Sequence, residues 1–265
     1  MYRYPERARH ERVQSVERAV AVLRTLAAEA APMRLADVQR KTGLQKTIAF
    51  RLLKTLESAG FVEQEPTTGR FHIGVGAFEV GQAYPRAGSL ILRIRPHLQR
   101  FVEGSPHTAY LATLDGFEIV YLATVEGTGP LRVHIAPGRR NPAYATAVGK
   151  ALLAELPDVE ILDRARQFRT RQLTPSTITN PARLVQHLRE VRTRGYALNS
   201  EEAYPGIGSI GAAIRDVGGN VIAGISLTYA TSLLLSDELP AWIERTLVAA
   251  AEVSAALAAE GQFPA

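Results

Sequence analysis

The chain has 265 residues, of which 46% are hydrophobic, so it is long enough and apolar enough for two compact domains. It has no cysteine, which excludes disulfides and thiolate metal sites, and its six histidines are dispersed without a pair at ligand spacing. The formal net charge is +5, and the whole excess lies in residues 1–75, which hold 13 Lys and Arg against 8 Asp and Glu; residues 76–265 hold 18 of each. This asymmetry predicts a basic module followed by a neutral one.

The N-terminal segment 1–11 is expected to be a disordered basic tail because it is polar and rich in arginine. It lacks the apolar stretch of a secretory signal, and no run in the chain approaches the length of a membrane span. A soluble, cytoplasmic protein with no membrane association is therefore expected.

Three helices are predicted next. The first begins at Ser15 as N-cap, and the second runs from Leu35 to Lys41. Gly43 is expected to adopt a positive φ in the turn between the second and third helices. The third helix is predicted to start near Gln45 and to end before Gly60.

The third helix has two faces. Its apolar stripe consists of Ile48, Leu52, Leu53 and Leu56, and its polar face consists of Thr47, Phe50, Arg51 and Lys54. Between Asp37 and Glu57 there are five basic residues and no acidic one. A basic amphipathic helix held at a turn is typical of a helix that reads the major groove, although a solvated helical hairpin in an enzyme would show the same pattern.

The helices are followed by two predicted strands, Phe61–Glu65 and Arg70–Ile73, joined by a PTTG turn. A hairpin directly after a helix-turn-helix is interpreted as a wing, whose tip offers Thr67, Thr68 and Arg70 to phosphates or to a minor groove. The alternative is an ordinary hairpin that only covers the helices.

Specific DNA contacts follow from these positions. Gln45, Lys46 and Thr47 start the reading helix and are expected to contact base edges. Arg51 is expected to bind a guanine or a phosphate, and Lys54 a phosphate. Phe50 is unusual on such a face, and it either contacts a thymine methyl group or belongs to the core.

The rest of the chain alternates helices and strands without a strict βαβ repeat, which predicts an α+β domain. The predicted helices are Gly74–Arg86, Ser89–Val102 with a kink or break at Pro96, Thr146–Leu156, Asn180–Arg194 and Asp237–Ala259. The predicted strands are Thr108–Leu114, Phe117–Val125, Leu131–Ile135, Tyr196–Ser200, Ser209–Arg215 and Val221–Thr228, with Asp115-Gly116 as a hairpin turn.

Several apparent catalytic or cofactor motifs fail on inspection. The GIGSIG segment 206–211 runs into a strand rather than opening a helix, so it is not a dinucleotide fingerprint. Gly149-Lys150 lacks the remaining residues of a phosphate loop. Glu201 and Glu202 would point to opposite faces of a strand and would not share a proton. No cofactor, metal site or catalytic residue is predicted.

A small-molecule pocket is predicted instead. Ser226 and Thr228 lie on the same side of one strand, Ser209 follows Ile207 on a segment predicted to pair nearby, and Asn199 ends another strand. The alternative is that these hydroxyls satisfy neighbouring backbone groups.

The helix that starts near Thr146 offers a second reason for a pocket. The amides of Ala147 and Val148 lack intrahelical partners and suit a carboxylate. Arg139 and Arg140 precede this helix, and they are expected to be solvated loop charges rather than carboxylate ligands.

The segments SVERAVAVLRTL, QKTIAFRLLKTLESAGFV and TTGRFHIG resemble the DNA-binding domain of the IclR family of bacterial transcriptional regulators. Later segments also resemble this family: GRRNPAYATAVGKALLAEL, RGYALNSEEAYPGIGSIGAAIRD and VIAGISLT. The resemblance covers nearly the whole chain. It implies a winged helix-turn-helix domain at 12–73, a linker helix at 74–88, and a GAF-like mixed α/β domain for effector binding and oligomerisation at 89–262.

The resemblance also implies a function and a ligand site. The protein would bind double-stranded operator DNA as a homodimer or homotetramer, and its second domain would bind a small, usually acidic effector. The residues implied to hold the effector are Val133, Asn141, Ala147, Val148, Asn199, Ile207, Ser209, Ser226 and Thr228. The Ala147-Val148 pair is bulkier than the glycine-containing pair common in the family, which favours a smaller or differently shaped ligand. The competing hypothesis is a metabolic enzyme with an N-terminal docking module.

Overall fold

The computed structural model describes residues 13–29, 31–83, 88–129, 135–234 and 237–259. The backbone divides into two compact units at the peptide between Gly88 and Ser89. The tail predicted at 1–11 lies outside the described residues, as does most of the strand predicted at Leu131–Ile135. Within the described ranges, every helix is too short or too polar to cross a bilayer.

The first unit consists of short helices and one hairpin. Its elements are α1 (Gln14–Ala27), α2 (Leu35–Thr42), α3 (Lys46–Ser58), β1 (Val62–Gln64), β2 (Phe71–Ile73) and α4 (Val75–Gln82). Gly43 has φ 72° between α2 and α3, which confirms the predicted turn. The predicted cap at Ser15 is wrong: Val13 is the N-cap, without a side-chain hydrogen bond, and Ser15 lies inside the first helical turn.

One apolar core unites the helices and the hairpin of this unit. Its buried members are Val22, Leu26, Met33, Val38, Leu53, Val62 and Phe71. The backbones of Met33 and Phe71 exchange two hydrogen bonds of 2.8 Å, which attach the hairpin to the segment just before α2. The hairpin is therefore built into the domain at its base, while its turn at 65–69 remains at the surface.

The second unit is organised on one antiparallel sheet. Its elements are α5 (Gly88–Val102), β3 (Thr108–Asp115), β4 (Glu118–Glu126), β5 (Arg140–Pro142), α6 (Ala147–Leu153), α7 (Asp158–Phe168), α8 (Pro181–Arg194), β6 (Ala197–Ser200), β7 (Ile207–Arg215), β8 (Val221–Ala230) and α9 (Leu239–Ala259). The strand order is β5-β4-β3-β8-β7-β6. The predicted α+β arrangement is thus confirmed.

The two faces of this sheet differ in character because successive side chains on a strand point to opposite sides. One face carries Ile210, Ala212, Ile214, Ile225 and Leu227, which pack with apolar residues of α5 and α9. The other face packs against α6, and on β7 and β8 it includes glycine residues and side chains with hydroxyl groups. This second face holds the predicted ligand residues.

Three helices of the second unit differ from the sequence analysis. Helix α7 was not predicted, because Ile161 and Ala165 alone are buried on it and the apolar pattern is weak. The helix predicted to run to Leu156 ends at Leu153. Pro96 does not interrupt α5; the carbonyl that loses its donor belongs to Leu92, whose residue is 75% exposed on the solvent side of the helix.

Candidate functional site

The solvent side of α3 carries the residues predicted to contact DNA. Ala49 and Leu53 are buried on the inner side of the helix. All members of the predicted polar face are exposed: Thr47, Phe50, Arg51 and Lys54. Phe50 is 44% exposed, so it is a surface residue and its assignment to the core is excluded. An exposed aromatic ring among basic residues suits contact with a thymine methyl group.

Arg51 and Lys54 differ in the partners they have in the protein itself. The Lys54 Nζ donates to Glu57 Oε2 at 2.7 Å and to Gln64 Oε1 at 2.9 Å. Arg51, by contrast, forms no side-chain hydrogen bond or ion pair with any residue in the described ranges. Arg51 is therefore available to an external anion, whereas Lys54 already links α3 to the hairpin.

The start of α3 has the features of an anion-binding helix end. Gln45 is the N-cap in an extended conformation without a side-chain cap, and the first turn contains no acidic residue. The side chains of Gln45, Lys46 and Thr47 are exposed. Unpaired amides at a helix N-terminus, with a lysine beside them, favour a phosphate.

The hairpin tip is more strongly tied to the domain than the sequence indicated. Thr67 and Thr68 are exposed, but the Thr68 hydroxyl donates to Glu65 Oε2 at 2.5 Å. The Arg70 guanidinium donates to the carbonyl of Pro32 at 3.2 Å. Contacts of all three side chains with DNA remain predictions, and for Arg70 they would compete with an existing internal hydrogen bond.

In the second unit, strand register brings four of the predicted ligand residues together. Asn199 is the partner of Ser209 between β6 and β7, and Ser209 is the partner of Thr228 between β7 and β8. Ser226 lies two residues before Thr228 on the same face, opposite Gly211. The residues Asn199, Ser209, Ser226 and Thr228 are all buried, with 3–8% of their surface exposed.

The hydrogen bonding of this group is incomplete. Asn199 Nδ2 donates to Ser209 Oγ at 3.3 Å. Within the described part of the chain, the hydroxyls of Ser226 and Thr228 have no hydrogen-bond partner. These two hydroxyls do not satisfy neighbouring backbone groups, which was the alternative to a ligand site. Two hydroxyls without a protein partner on the same face of one strand are available to a bound molecule or to water.

The N-terminal end of α6 lies directly over this face. A Cβ atom on Gly211 would be 2.5 Å from the backbone carbonyl carbon of Ala147 and from the nitrogen of Val148. Only glycine permits so close an approach. The Thr146 hydroxyl caps the helix by accepting from Gly149 N at 3.1 Å. The buried residues Ala147 and Val148 are thereby held next to Gly211, which is the register partner of Ser226 on β7.

A group of tyrosines extends the polar face, and sequence reasoning missed it. Tyr110 is the register partner of Ser226 on β3, and its ring packs edge-on to Tyr121 at 5.1 Å. Asn141 Nδ2 donates to Tyr121 Oη at 3.2 Å, and Tyr204 Oη donates to Asn141 Oδ1 at 3.1 Å. The alternation of Tyr110 with Ala109 and Leu111 was the available signal.

The two buried tyrosines act as neutral donors. Burial raises the pKa of Tyr121 to about 12, with a smaller opposing effect of the Asn141 hydrogen bond. Burial also raises the pKa of Tyr110. Both phenols therefore keep their protons at neutral pH. The Tyr110 hydroxyl is already hydrogen-bonded to the backbone of Ile135, whereas the Tyr121 Oη accepts from Asn141 and can donate its proton to an acidic or carbonyl oxygen.

Of the two arginines before α6, only Arg140 differs from the expectation. Arg140 lies on β5, where it forms an ion pair with Asp115 and another, at 2.9 Å, with Glu118. The expectation that it is a solvated loop charge is therefore wrong. Arg139 is exposed.

The structure describes three of the four remaining positions that the sequence analysis discussed. Ile207 is half-buried and begins β7, which confirms that GIGSIG runs into a strand. Val133 lies outside the described residues. Glu201 and Glu202 follow β6 in a bend rather than in a strand, so the reason given for separating them is wrong. They do have different partners, since Glu201 accepts from Thr231 and Glu202 pairs with Lys150.

Comparison with known proteins decides the family. A model of the IclR helix-turn-helix domain matches residues 15–66, and a model of the C-terminal domain of bacterial IclR transcriptional regulators matches residues 82–255. The chain belongs to the IclR family of bacterial transcriptional regulators.

Individual IclR relatives match over nearly their whole length. The HTH-type transcriptional regulator BhcR of Paracoccus denitrificans is 33% identical over 93% of this chain and 88% of its own. The repressor AllR of Escherichia coli K12 is 32% identical over 92% of this chain and 90% of its own. A crystal structure of a putative transcriptional regulator from Rhodococcus sp. RHA1 is 31% identical, with a TM-score of 0.78 over 94% of this chain and all of that one.

Membership of the IclR family identifies both units of the chain. The first unit is the winged helix-turn-helix DNA-binding domain, and the second is the GAF-like ligand-binding domain. The relatives are named as regulators and repressors of transcription, so the alternative of a metabolic enzyme is set aside.

Proposed function

We propose that this IclR-family regulator senses a small carboxylic or aromatic acid in its C-terminal domain and changes its binding to operator DNA in response. The observation that carries the proposal is that the hydroxyls of two buried residues, Ser226 and Thr228, have no hydrogen-bond partner within the described ranges. They lie next to the polar side chains of Asn199 and Ser209 in the strand register, and none of these register positions carries a carboxylate.

The chemistry of these groups favours an acid as the ligand. Hydroxyl, phenol and amide N–H groups all donate, and the first amides of α6 add the positive end of a helix to the same face. Aromatic rings and apolar side chains beside a few donors are the usual composition of a small-molecule site. An acid of a few carbon atoms, or a single-ring aromatic acid, would accept hydrogen bonds from the hydroxyls of Ser226 and Thr228.

The DNA half of the proposal uses α3 and the wing. Gln45, Lys46, Thr47, Phe50 and Arg51 would enter the major groove, and Lys54 would hold a phosphate if its present partners release it. Thr67, Thr68 and Arg70 would approach the neighbouring backbone or minor groove. A homodimer or homotetramer in the cytoplasm would place two such helices on pseudo-palindromic half-sites. Effector binding would then shift the arrangement of the DNA-binding domains through the segment around α4.

A thermal-shift titration of the full chain tests the effector half. Pyruvate, succinate, benzoate and 4-hydroxybenzoate serve as probes, because a ligand that binds the folded state raises the melting temperature by mass action. We expect at least one of them to raise it in the wild type and to lose this effect in the double variant Ser226→Ala, Thr228→Val.

The matched control is Thr113→Val, which removes another buried hydroxyl from the same sheet, one that is bonded to Ile222. It should retain the shift. Equal shifts in the wild type and the double variant would show that the acid binds elsewhere.

A further inference from the structure

A buried ion pair lies on the α6 side of the sheet, and the proposed ligand contacts do not include it. The side chain of Lys150 on α6 is 0% exposed and pairs with the carboxylate of Glu202, whose side chain is 8% exposed. Desolvation of two charges offsets much of their attraction, so such a pair is weak evidence for stability. Its value can instead lie in fixing one geometry.

The backbone of Glu202 contacts the ligand site directly. The Glu202 N–H donates to Asn199 Oδ1 at 2.8 Å. The Nδ2 of the Asn199 side chain in turn donates to Ser209 Oγ at 3.3 Å. The first hydrogen bond decides which end of the Asn199 amide faces Ser209, because only the oxygen can accept from residue 202. A continuous chain of contacts thus runs from Lys150 through Glu202 and Asn199 to Ser209.

The turn that carries Glu202 needs to be held in place. Glu201 has φ 58°, in the left-handed region that non-glycine residues seldom adopt. The Thr174 hydroxyl donates to the carbonyl of Glu201 at 2.7 Å, and the Thr177 hydroxyl donates to that of Glu202 at 2.7 Å. These contacts hold the carbonyl side of the turn, while the Lys150 ion pair holds the side chain of Glu202 on the α6 side.

Lys150 is the partner on which the Glu202 carboxylate depends. In the described ranges, Glu202 Oε1 bonds to Lys150 and Glu202 Oε2 is buried without a hydrogen bond. Arg194 and His187 each also have a buried nitrogen without a partner, so neither of these nitrogens is bonded to Glu202. Loss of Lys150 would leave a buried carboxylate with no cation bonded to it.

We propose that Lys150 and Glu202 are positioning residues of the ligand site: their ion pair holds the turn after β6 so that the Glu202 amide orients Asn199 toward Ser209. This inference rests on the proposed function only in taking Asn199 as part of the ligand site. The orientation of Asn199 itself can be measured without a ligand.

The first test is the side-chain amide signal of Asn199 in ¹⁵N NMR spectra of the full chain, assigned by its absence in Asn199→Ala. The variant Lys150→Met, Glu202→Met removes both charges together and keeps side-chain length. We expect the Asn199 amide protons to exchange about tenfold faster than in the wild type, because local opening sets exchange rates. An unchanged signal in a folded double variant would overturn the proposal.

Three further variants keep the test decisive. Arg189→Met breaks the ion pair of Arg189 with Asp158 between α8 and α7, and it should leave the Asn199 signal unchanged. Glu202→Gln keeps an oxygen for Lys150, so the Asn199 side-chain amide protons should exchange as slowly as in the wild type. Glu202→Ala removes this oxygen, so the same protons should exchange faster. If the double Met variant does not fold, this Gln and Ala pair decides the question, and equal signals in the two would overturn the proposal.

The second test is a double-mutant cycle on the binding of pyruvate and of 4-hydroxybenzoate. Asn199→Ala and the double Met variant should each weaken binding, and their combination should be no weaker than Asn199→Ala alone, because both changes remove the same contact. Additive losses would overturn the positioning role. If neither acid binds the wild type, the proposed effector class fails on these probes while the NMR result still decides the positioning role.

Discussion

The candidate functional side chains of this regulator differ in whether they already have a hydrogen-bond partner within the protein. Arg51 on α3 and the hydroxyls of Ser226 and Thr228 have no partner within the described ranges. Lys54 and Arg70 are basic like Arg51 but form internal hydrogen bonds. A free polar group gains more from an external ligand than a committed one, because it has no existing bond to break.

Arg51→Ala is expected to abolish detectable operator binding while leaving the fold and ligand affinity unchanged. A lost arginine contact with DNA costs about 1–3 kcal/mol, and every protomer of an oligomer loses it. A gel-shift titration on DNA from the gene's own upstream region measures the effect.

Arg166→Ala is the control, since it removes the same charge from an exposed residue of α7. Intact binding by Arg51→Ala would show that α3 is not the reading helix.

His187 makes stability depend on pH. Burial, reinforced by the positive charges of Lys150 and Arg194, lowers the pKa of His187 from 6.5 to about 4. Between these values the unfolded chain binds the proton and the folded chain does not, so the free energy of unfolding falls as pH falls from 6.5 toward 4. We expect urea unfolding at pH 5 and pH 7 to show this loss in the wild type and a smaller loss in His187→Gln. Equal pH dependence in the wild type and in His187→Gln would refute the assignment.

At the element scale, the packing of α6 on β7 decides where the ligand site lies. The Gly211 backbone touches the start of α6 with no room for a side chain, and Gly224 on β8 is in similar proximity to Val148 and Leu152. Two small residues on adjacent strands thus let one short helix approach the sheet closely. Larger residues at both positions would push the helix away from the polar face.

Gly211→Ala is expected to destabilise the protein by about 1–3 kcal/mol, the usual cost of overpacking, since its methyl group would meet rigid backbone rather than a movable side chain. It should also weaken effector binding because the start of α6 would shift. Urea unfolding and thermal-shift titration measure the two effects.

Gly81→Ala is the matched control, because nothing lies within 4 Å of an added Cβ atom on α4 and alanine is the better helix former. This variant should be as stable as the wild type or slightly more stable. Equal stability of the two variants would contradict the close contact at Gly211.

At the scale of the whole molecule, the basic and neutral parts of the chain coincide with its two compact units. The net charge of +5 lies in residues 1–75, and the unit boundary follows at Gly88–Ser89. Each unit has its own apolar core. A chain divided in this way can place DNA binding and ligand sensing in units that are stable separately.

A fragment of residues 89–265 is expected to fold alone and to keep the ligand response of the full chain while losing DNA binding. Circular dichroism, the thermal-shift titration and the gel shift test these three properties, with the full chain as reference. An unfolded fragment would show that the second unit depends on the first.

Local sequence determined the elements and the family of this protein. Helical periodicity located α3, the turn residues located Gly43 and the hairpins, and the alternation at Ser226 and Thr228 placed both hydroxyls on one face. These features follow from short-range geometry, in which the side-chain period of 3.6 or 2 residues is set by the backbone alone. Helix α7 was not predicted from the sequence because its buried stripe is too narrow to give a clear helical repeat of apolar residues.

Only the tertiary structure decided which polar groups meet. The buried pair of Lys150 and Glu202 joins residues 52 positions apart, and Tyr204 reaches Asn141 across 63 positions. The partners of Lys54, Arg70 and Arg140 were likewise set by neighbouring elements. No local period encodes such contacts, because strand order and the approach of α6 to the sheet bring these side chains together.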